Sequence, residues 1–256
     1  MRVVTWNVNS VRARLEIVRA WLAANEPDVL CLQEIKVVDD AFPAAEFAEL
    51  GYRATVYGQP TYNGVALLSR AEPTDVRRGF DDGAPEDPQA RILRATFGDV
   101  RVIDVYVPNG DSVGSDKYAY KLAWMERFAA LLRAQEDPTA PLVLVGDFNV
   151  APEDRDVHDP DLWRGQVLFS EPEHAALAAI TSFGLTDCLR LHHAEPGIYS
   201  WWDYRGLAFQ KRLGLRIDLV LATAPLAARC TACRVDKDAR RGKGVSDHAP
   251  VIADFT

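Results

Sequence analysis

This sequence reads as an α/β sandwich, with β-sheets packed together and helices covering them. Three observations point to that fold class. Short Val/Leu/Ile-rich runs bounded by Gly, Pro, Asp and Asn recur along the chain, the pattern of buried strands. Three other segments carry apolar residues at helical spacing. Gly98-Asp99 joins the runs at 92–97 and 100–107 at hairpin length, so part of the sheet is antiparallel, while other runs are separated by helices.

The strand-like runs fall at residues 2–6, 28–33, 53–57, 64–69, 92–97, 100–107, 142–147, 217–222 and 250–255. Helical periodicity covers 11–24, 118–135 and 173–184. In the second helix Leu122, Met125, Phe128, Ala129 and Leu132 mark one face. Ser170-Glu-Pro-Glu173 announces the third, with a capping serine and proline in the first turn. Residues 108–117 and 152–169 are polar and irregular, and read as surface loops. No Pro/Gly-rich linker divides the 256 residues, a length that suits one domain spanning 1–256.

Composition is that of an ordinary globular protein, and no apolar stretch approaches a membrane span. Strand-like sequence begins by residue 3, which leaves no room for a targeting peptide and points to the cytoplasm. Of the four cysteines, Cys31 and Cys188 lie in apolar or helix-like sequence as reduced core residues. Cys230-Thr-Ala-Cys233 has redox or zinc spacing but no second Cys/His pair, so a structural role is expected. Net charge is -8, which argues against a polyanionic partner unless cations are confined to one rim. Basic clusters at Arg77-Arg78, Arg91/Arg94, Lys211-Arg212 and Arg240-Arg241-Gly-Lys243 leave that open, since each alone reads as a solvated patch.

Five of the apolar runs abut polar residues of the kind phosphate chemistry uses: Trp6-Asn7, Gln33-Glu34, Tyr106-Val-Pro-Asn109, Gly146-Asp-Phe-Asn149 and, before the last run, Ser246-Asp-His248. If the last strand runs antiparallel to the other four, all five clusters meet at one sheet edge. Asp147 and Asn149 alternate along an extended segment and project together, with Phe148 turned into the core. That pair suits a carboxylate that orients or deprotonates water beside an amide for a phosphate oxygen, although an Asx turn explains it equally. Glu34 can serve a hard cation such as Mg²⁺, or pair with Lys36. Asn7 and Asn9 offer a neutral ligand and an orienting amide. His248 next to Asp247, with Asp218 opening another strand, suits a histidine whose charge a carboxylate supports. Tyr106 either donates to a phosphate oxygen or packs its ring at a sheet edge. Tyr199, Trp201, Trp202 and Tyr204, followed by Lys211-Arg212, suit stacking on a sugar or base and contact with phosphates, core packing being the alternative.

Taken together these segments resemble the exonuclease III family of DNA-repair nucleases, within the endonuclease/exonuclease/phosphatase superfamily. The match runs through Thr5-Trp-Asn-Val-Asn-Ser-Val-Arg-Ala-Arg14, Pro27-Asp-Val-Leu-Cys-Leu-Gln-Glu34, Tyr62-Asn-Gly-Val-Ala-Leu-Leu-Ser-Arg70 and Tyr106-Val-Pro-Asn109. It continues through Gly146-Asp-Phe-Asn-Val-Ala-Pro152, Trp201-Trp-Asp-Tyr204, Arg216-Ile-Asp-Leu219 and Ser246-Asp-His-Ala-Pro250. The resemblance implies a four-layer α/β sandwich of two packed mixed sheets flanked by helices. It implies Glu34 as principal ligand of Mg²⁺ or Mn²⁺, with Asn7 and Asp247 as further metal residues and Asn9 beside them. It implies Asp147 as the residue that activates water, Asn149 and Asn109 on the phosphate, and Tyr106 and His248, supported by Asp218, on the transition state or leaving oxygen. Tyr62, Trp201, Trp202, Tyr204 and Arg216 fall in segments that contact DNA. Some relatives carry aspartate where Asn9 stands, and Leu215 stands where an aromatic lines their lesion pocket. The implied partner is double-stranded DNA with abasic sites or blocked 3′ ends, cut by a monomer at the nucleoid. Two rivals are a superfamily enzyme acting on phospholipid headgroups and a non-catalytic RNA-binding relative.

Overall fold

A strand that is apolar at every position needs cover on both faces. The computed structural model, which describes residues 1–256, gives the central strands a second sheet on one face and helices on the other. In chain order the strands are β1 (Arg2–Asn7), β2 (Val29–Gln33), β3 (Arg53–Tyr57), β4 (Val65–Ser69), β5 (Thr74–Arg78) and β6 (Ile92–Phe97). There follow β7 (Val100–Tyr106), β8 (Leu142–Asp147), β9 (Leu185–Asp187), β10 (Asp218–Thr223), β11 (Cys230–Val235) and β12 (Val251–Phe255). The helices are α1 (Leu15–Asn25), α2 (Ala44–Ala48), α3 (Asp116–Gln135), α4 (Pro160–Trp163), α5 (Glu171–Thr181), α6 (Cys188–His192), α7 (Ala208–Lys211) and α8 (Ala224–Ala227).

One six-stranded sheet has the order β11-β12-β1-β2-β4-β3 and the other β5-β6-β7-β8-β10-β9. Both are mixed: β1 pairs β2 and β7 pairs β8 in parallel, and the other pairs are antiparallel. Strand alternation divides the core into layers. Val3, Val29, Leu67 and Val251 meet Ala95, Val102, Val145 and Val220 between the sheets. Their neighbours Val4, Leu30 and Leu68 pack outward with Val18 and Leu22 of α1, and Ile103, Leu144 and Leu221 with Met125, Phe128, Leu177 and Ile180 of α3 and α5. This is the expected four-layer sandwich.

The sequence pattern misses β5, β9 and β11. β9 has only three residues, and β5 and β11 are edge strands whose exposed positions break any apolar run. The four- and five-residue helices are too short for periodicity to register. α1 starts at Leu15 rather than residue 11, after turns at 11–14. The buried face of α3 is wider than expected, taking in Tyr118, Lys121, Trp124 and Leu131. The predicted cap at α5 forms: the Ser170 N–H and Oγ–H both donate to Glu173, at 3.1 and 2.5 Å. No helix is long and apolar enough to cross a membrane.

The convergence of the polar clusters differs from expectation in one respect. The Asn7, Glu34 and Asp247-His248 clusters belong to one sheet and the Tyr106-Asn109 and Asp147-Asn149 clusters to the other. They therefore meet at the shared end of two stacked sheets, not at one sheet edge.

Gly146 is what lets β8 lie against β7 just before Asp147. Its φ is 147°, and an added Cβ would sit 1.9 Å from the Val105 carbonyl oxygen. Gly146→Ala is expected to cost about 3 kcal/mol of stability and to displace Asp147. Urea unfolding checks it, and an unchanged midpoint would show that the strands relax freely.

Candidate active site

Cross-strand register builds half of the site. Tyr106, Asp147 and Asp218 stand side by side on β7, β8 and β10: Tyr106 pairs with Asp147, and Asp147 with Asp218. All three are buried. Two neighbouring carboxylates in a dry interface repel each other and lack solvation, so they need charge and donors from the facing sheet.

His248, just ahead of β12, meets that need. Its Nδ1 lies 2.9 and 3.1 Å from the two Asp218 oxygens, and its Nε2 lies 3.7 Å from Asp147 Oδ2. Burial opposes its charge, but the Asp218 and Asp147 carboxylates outweigh burial and raise its pKa to about 10. The ring is an imidazolium at neutral pH. Burial raises Asp147 to about 7, opposed by the His248 charge and supported by repulsion from Asp218. Ser200 ties the two sides together, accepting from the Ile217 and Asp218 N–H groups while its carbonyl accepts from Ala249 N–H at 2.7 Å.

Asn7 crosses the sheet interface in the other direction. Its Nδ2 donates to Glu34 Oε1 at 2.8 Å and to Asp147 Oδ2 at 2.9 Å, while its Oδ1 accepts the Asn9 N–H at 3.0 Å. Asn7 thus turns its amide hydrogens, not its oxygen, toward the carboxylates. Asn7 thereby orients Glu34 and Asp147 toward each other. Glu34 also pairs with Lys36, at 2.8 Å, so the alternative of a salt bridge holds as well. Lys36 Nζ also donates to Asn9 Oδ1 at 2.6 Å.

Tyr106 keeps a neutral phenol, its pKa pushed well up by burial and by the nearby Glu34 and Asp147 charges, with the Arg91 guanidinium 4.6 Å from its ring centre. Asn149 is not extended as expected. Its φ is +49°, and its N–H closes an Asx turn on Asp147 Oδ1 at 2.9 Å. The turn, rather than strand alternation, is what holds the two side chains together. Asn149 Nδ2 donates to the Val107 carbonyl at 3.0 Å and its Oδ1 accepts from Asn109 Nδ2 at 2.9 Å.

Asp247 has both oxygens occupied, by Asn9 Nδ2 at 3.1 Å and Trp201 Nε1 at 3.0 Å. Burial raises its pKa, but the His248 charge and these donors outweigh that and hold it below the usual range. Glu34, Asp147 and His248, without Asp247, bring ligand-type atoms within 4.8 Å of one another. The two carboxylates of this group, held together by the Asn7 amide, fit a hard divalent cation as oxygen donors, while the His248 imidazolium is a neighbouring charge and not a ligand. Asp247 lies outside that grouping and anchors Asn9 and Trp201.

The aromatic segment divides. Trp201 leans on the site through Asp247 and bridges both His248 and Leu215. Tyr204 is 48% exposed at the rim, and its hydroxyl donates to the Val245 carbonyl at 2.9 Å and accepts from Arg14 at 3.1 Å. Trp202 points away, its ring packed against Phe209 and Tyr199, so it does not reach the site. Arg216 is withdrawn from the surface. It is 1% exposed and pairs with Asp156 at 2.6 Å and Asp187 at 2.7 Å. Leu215 is buried beneath Trp201. Tyr62, 68% exposed, faces Tyr106 and Asn109 across a cleft of about 650 Å³ that Arg91 and Lys117 also line.

No motif in the sequence singles out Lys121 or Glu173 as part of the site. Lys121 is wholly buried on α3, and its Nζ donates to the Asn149 carbonyl at 2.6 Å, the Asn109 carbonyl at 3.1 Å and the Glu173 carboxylate. Burial lowers its pKa against the opposing effect of Glu173. The one available signal is a lysine four residues before Met125, on the apolar face. Lys121→Met strands a buried carboxylate and should cost about 3–5 kcal/mol, read by urea unfolding. A loss below about 1 kcal/mol would mean that Glu173 is not a buried charge.

Comparison with known proteins places these features in a family. The endonuclease/exonuclease/phosphatase family profile matches residues 4–248. Exodeoxyribonuclease III of Haemophilus influenzae is 36% identical over 267 residues, covering 100% of both chains. Among solved structures, the 3′ phosphatase NExo from Neisseria bound to product DNA hairpin is 44% identical, with a TM-score of 0.96 over 100% of this chain and 99% of that one. An AP endonuclease from Archaeoglobus fulgidus is 42% identical, with a TM-score of 0.95 and the same coverage. Fold, cluster and full-length identity agree: the chain belongs to the endonuclease/exonuclease/phosphatase family.

Proposed function

We propose that this chain is a metal-dependent DNA-repair phosphodiesterase that cuts DNA 5′ to abasic sites. In this reading it also clears 3′ ends by 3′-phosphatase, 3′-phosphodiesterase and 3′→5′ exonuclease action. One observation carries the reading: Asp147 faces His248 at 3.7 Å, with His248 held by Asp218 and Glu34 in the same cluster. A carboxylate made more basic by burial, beside a cation fixed by a second carboxylate, suits attack of water on a phosphodiester. The named relatives favour this over a phospholipid phosphatase or an RNA-binding relative without catalysis.

Asp147 holds the attacking water and takes its proton. His248, its Nδ1 held by Asp218, directs Nε2–H at a phosphate oxygen and stabilises the charge that grows there. Tyr106 donates from a neutral phenol to the same phosphate or to the departing 3′ oxygen. Asn149 and Asn109 each keep a second amide hydrogen for the phosphate beyond the bonds described. Mg²⁺, or Mn²⁺ in its place, would be held by Glu34 beside Asp147, with Asn7 orienting both, and when bound it supplies positive charge to the phosphate oxygens. An abasic nucleotide lacks stacking and pairing, so turning it out of the helix costs less than for a normal one. Trp201 and the exposed Tyr204 offer it an aromatic surface. Every member of the cluster comes from one chain, which suits action as a monomer.

The test compares three duplexes with Mg²⁺: one with an abasic site, one with a 3′-phosphate and one intact and blunt. Nicking at the abasic site and phosphate release are expected, and Asp147→Asn should slow both on the order of 10²–10⁴-fold. Phosphate release without nicking would restrict the function to 3′ ends. No cleavage of any duplex across a range of divalent metals would overturn the reading.

A further inference from the structure

A cleft of about 720 Å³ shares no lining residue with the catalytic cluster. Trp202 and Phe209 line it, together with four cations: Arg212, Lys237, Arg240 and Arg241. No carboxylate lines it, in a chain whose net charge is -8. Folding thus joins two of the basic clusters noted in the sequence, Lys211-Arg212 and Arg240-Arg241. Arg241 pairs with Asp238 at 2.9 Å, but Arg212, Lys237 and Arg240 make no ion pair.

Arg240 is the informative member. It is 8% exposed, its Nε has no hydrogen-bond partner, and its one bond is a long one of 3.5 Å from Nη2 to the Trp202 carbonyl. The guanidinium lies 5.1 Å from the Tyr204 ring centre and 5.3 Å from that of Phe209. Two aromatic faces offset part of the cost of burying a guanidinium, but they satisfy none of its N–H groups. A buried, preformed donor without its acceptor, in a cleft of one sign of charge, is a site built for an anion.

We propose that this cleft is a second phosphate subsite, which holds a phosphodiester of the DNA away from the reacting one. Two features favour a nucleic-acid strand over an acidic protein surface. Trp202 and Phe209 provide apolar faces beside the cations, the combination that suits a sugar or base next to its phosphate. A chain of contacts also links the cleft to the catalytic rim: Tyr204 carries Arg240 on its ring and receives Arg14 on its hydroxyl, and Arg14 in turn donates to the Asn9 carbonyl. The choice of DNA as the polymer rests on the function proposed above; the affinity of the cleft for phosphate does not.

The test uses the full chain with a duplex and no divalent metal, so that binding is read without cleavage. Arg212→Glu with Lys237→Glu alters two exposed, unpaired side chains, and an unchanged Tm verifies folding. Duplex affinity should weaken about tenfold at low salt, and the slope of log Kd against log salt should fall by about 0.9 for each phosphate no longer neutralised. Inorganic phosphate alone should shift the Arg240 Nε–H resonance in the wild type and not in the variant. Unchanged affinity and slope would overturn the proposal. So would variant-sensitive binding of poly-glutamate without such binding of DNA, which would make the cleft a protein-docking site. Wild-type protein that binds DNA with this slope yet cleaves nothing would leave the subsite standing and remove the nuclease reading.

Discussion

Two buried carboxylates in cross-strand register, Asp147 and Asp218, are the constraint around which the rest of the site is arranged. Neighbouring negative charges in a dry interface are costly, and a sheet cannot relieve that cost from its own strands. Relief comes from the facing sheet. His248 brings a positive charge that faces both acids, and Asn7 brings two amide hydrogens, one for Asp147 and the other for Glu34. The sheets must therefore stack with their ends aligned, or the carboxylates are left uncompensated. The layer packing of Val3, Val29 and Val251 against Val102, Val145 and Val220 supplies that alignment.

The same burial that threatens stability tunes the chemistry. Desolvation lifts Asp147 toward neutrality, while its partner keeps the imidazolium charged. A base and a cationic stabiliser thus coexist within 3.7 Å, separated in role by their surroundings. A second buried pair, Lys121 with Glu173, fastens the carbonyls of the Asn109 and Asn149 turns, so loop amides inherit the rigidity of α3 and α5. Outside this acidic centre, cations and aromatics gather in two clefts, one lined by Arg91 and Lys117 with Tyr62 and the other by Arg240 with Trp202 and Phe209. An acidic chain can in this way present local positive charge to a polyanion.

Much of this is readable along the chain where a local rule governs. The central strands are legible because burial on both faces demands unbroken apolar runs, and the α5 cap because Ser170 and Glu173 sit three residues apart. Edge strands β5, β9 and β11 are not, since an edge needs no apolar run. Strand alternation brings Asp147 and Asn149 together on paper, but an Asx turn with positive φ is what joins them. Arg216, Trp202 and Asp247 sit in matching segments, yet their partners in space, Asp156 and Asp187, Phe209 and Tyr199, Asn9 and Trp201, turn each to a different task.

Order along the chain is enough to specify the residue types of a phosphodiesterase site and their positions at the tips of buried strands, because strand burial and turn chemistry are local properties. It is not enough to say that the tips belong to two sheets, or that Asn7 joins Glu34 to Asp147. Nor does it mark Lys121 as part of the support, or Arg240 as a buried cation without an anion. Those outcomes depend on contacts between residues as far apart as 7 and 147, or 218 and 248, whose energies exist only once the sheets are stacked.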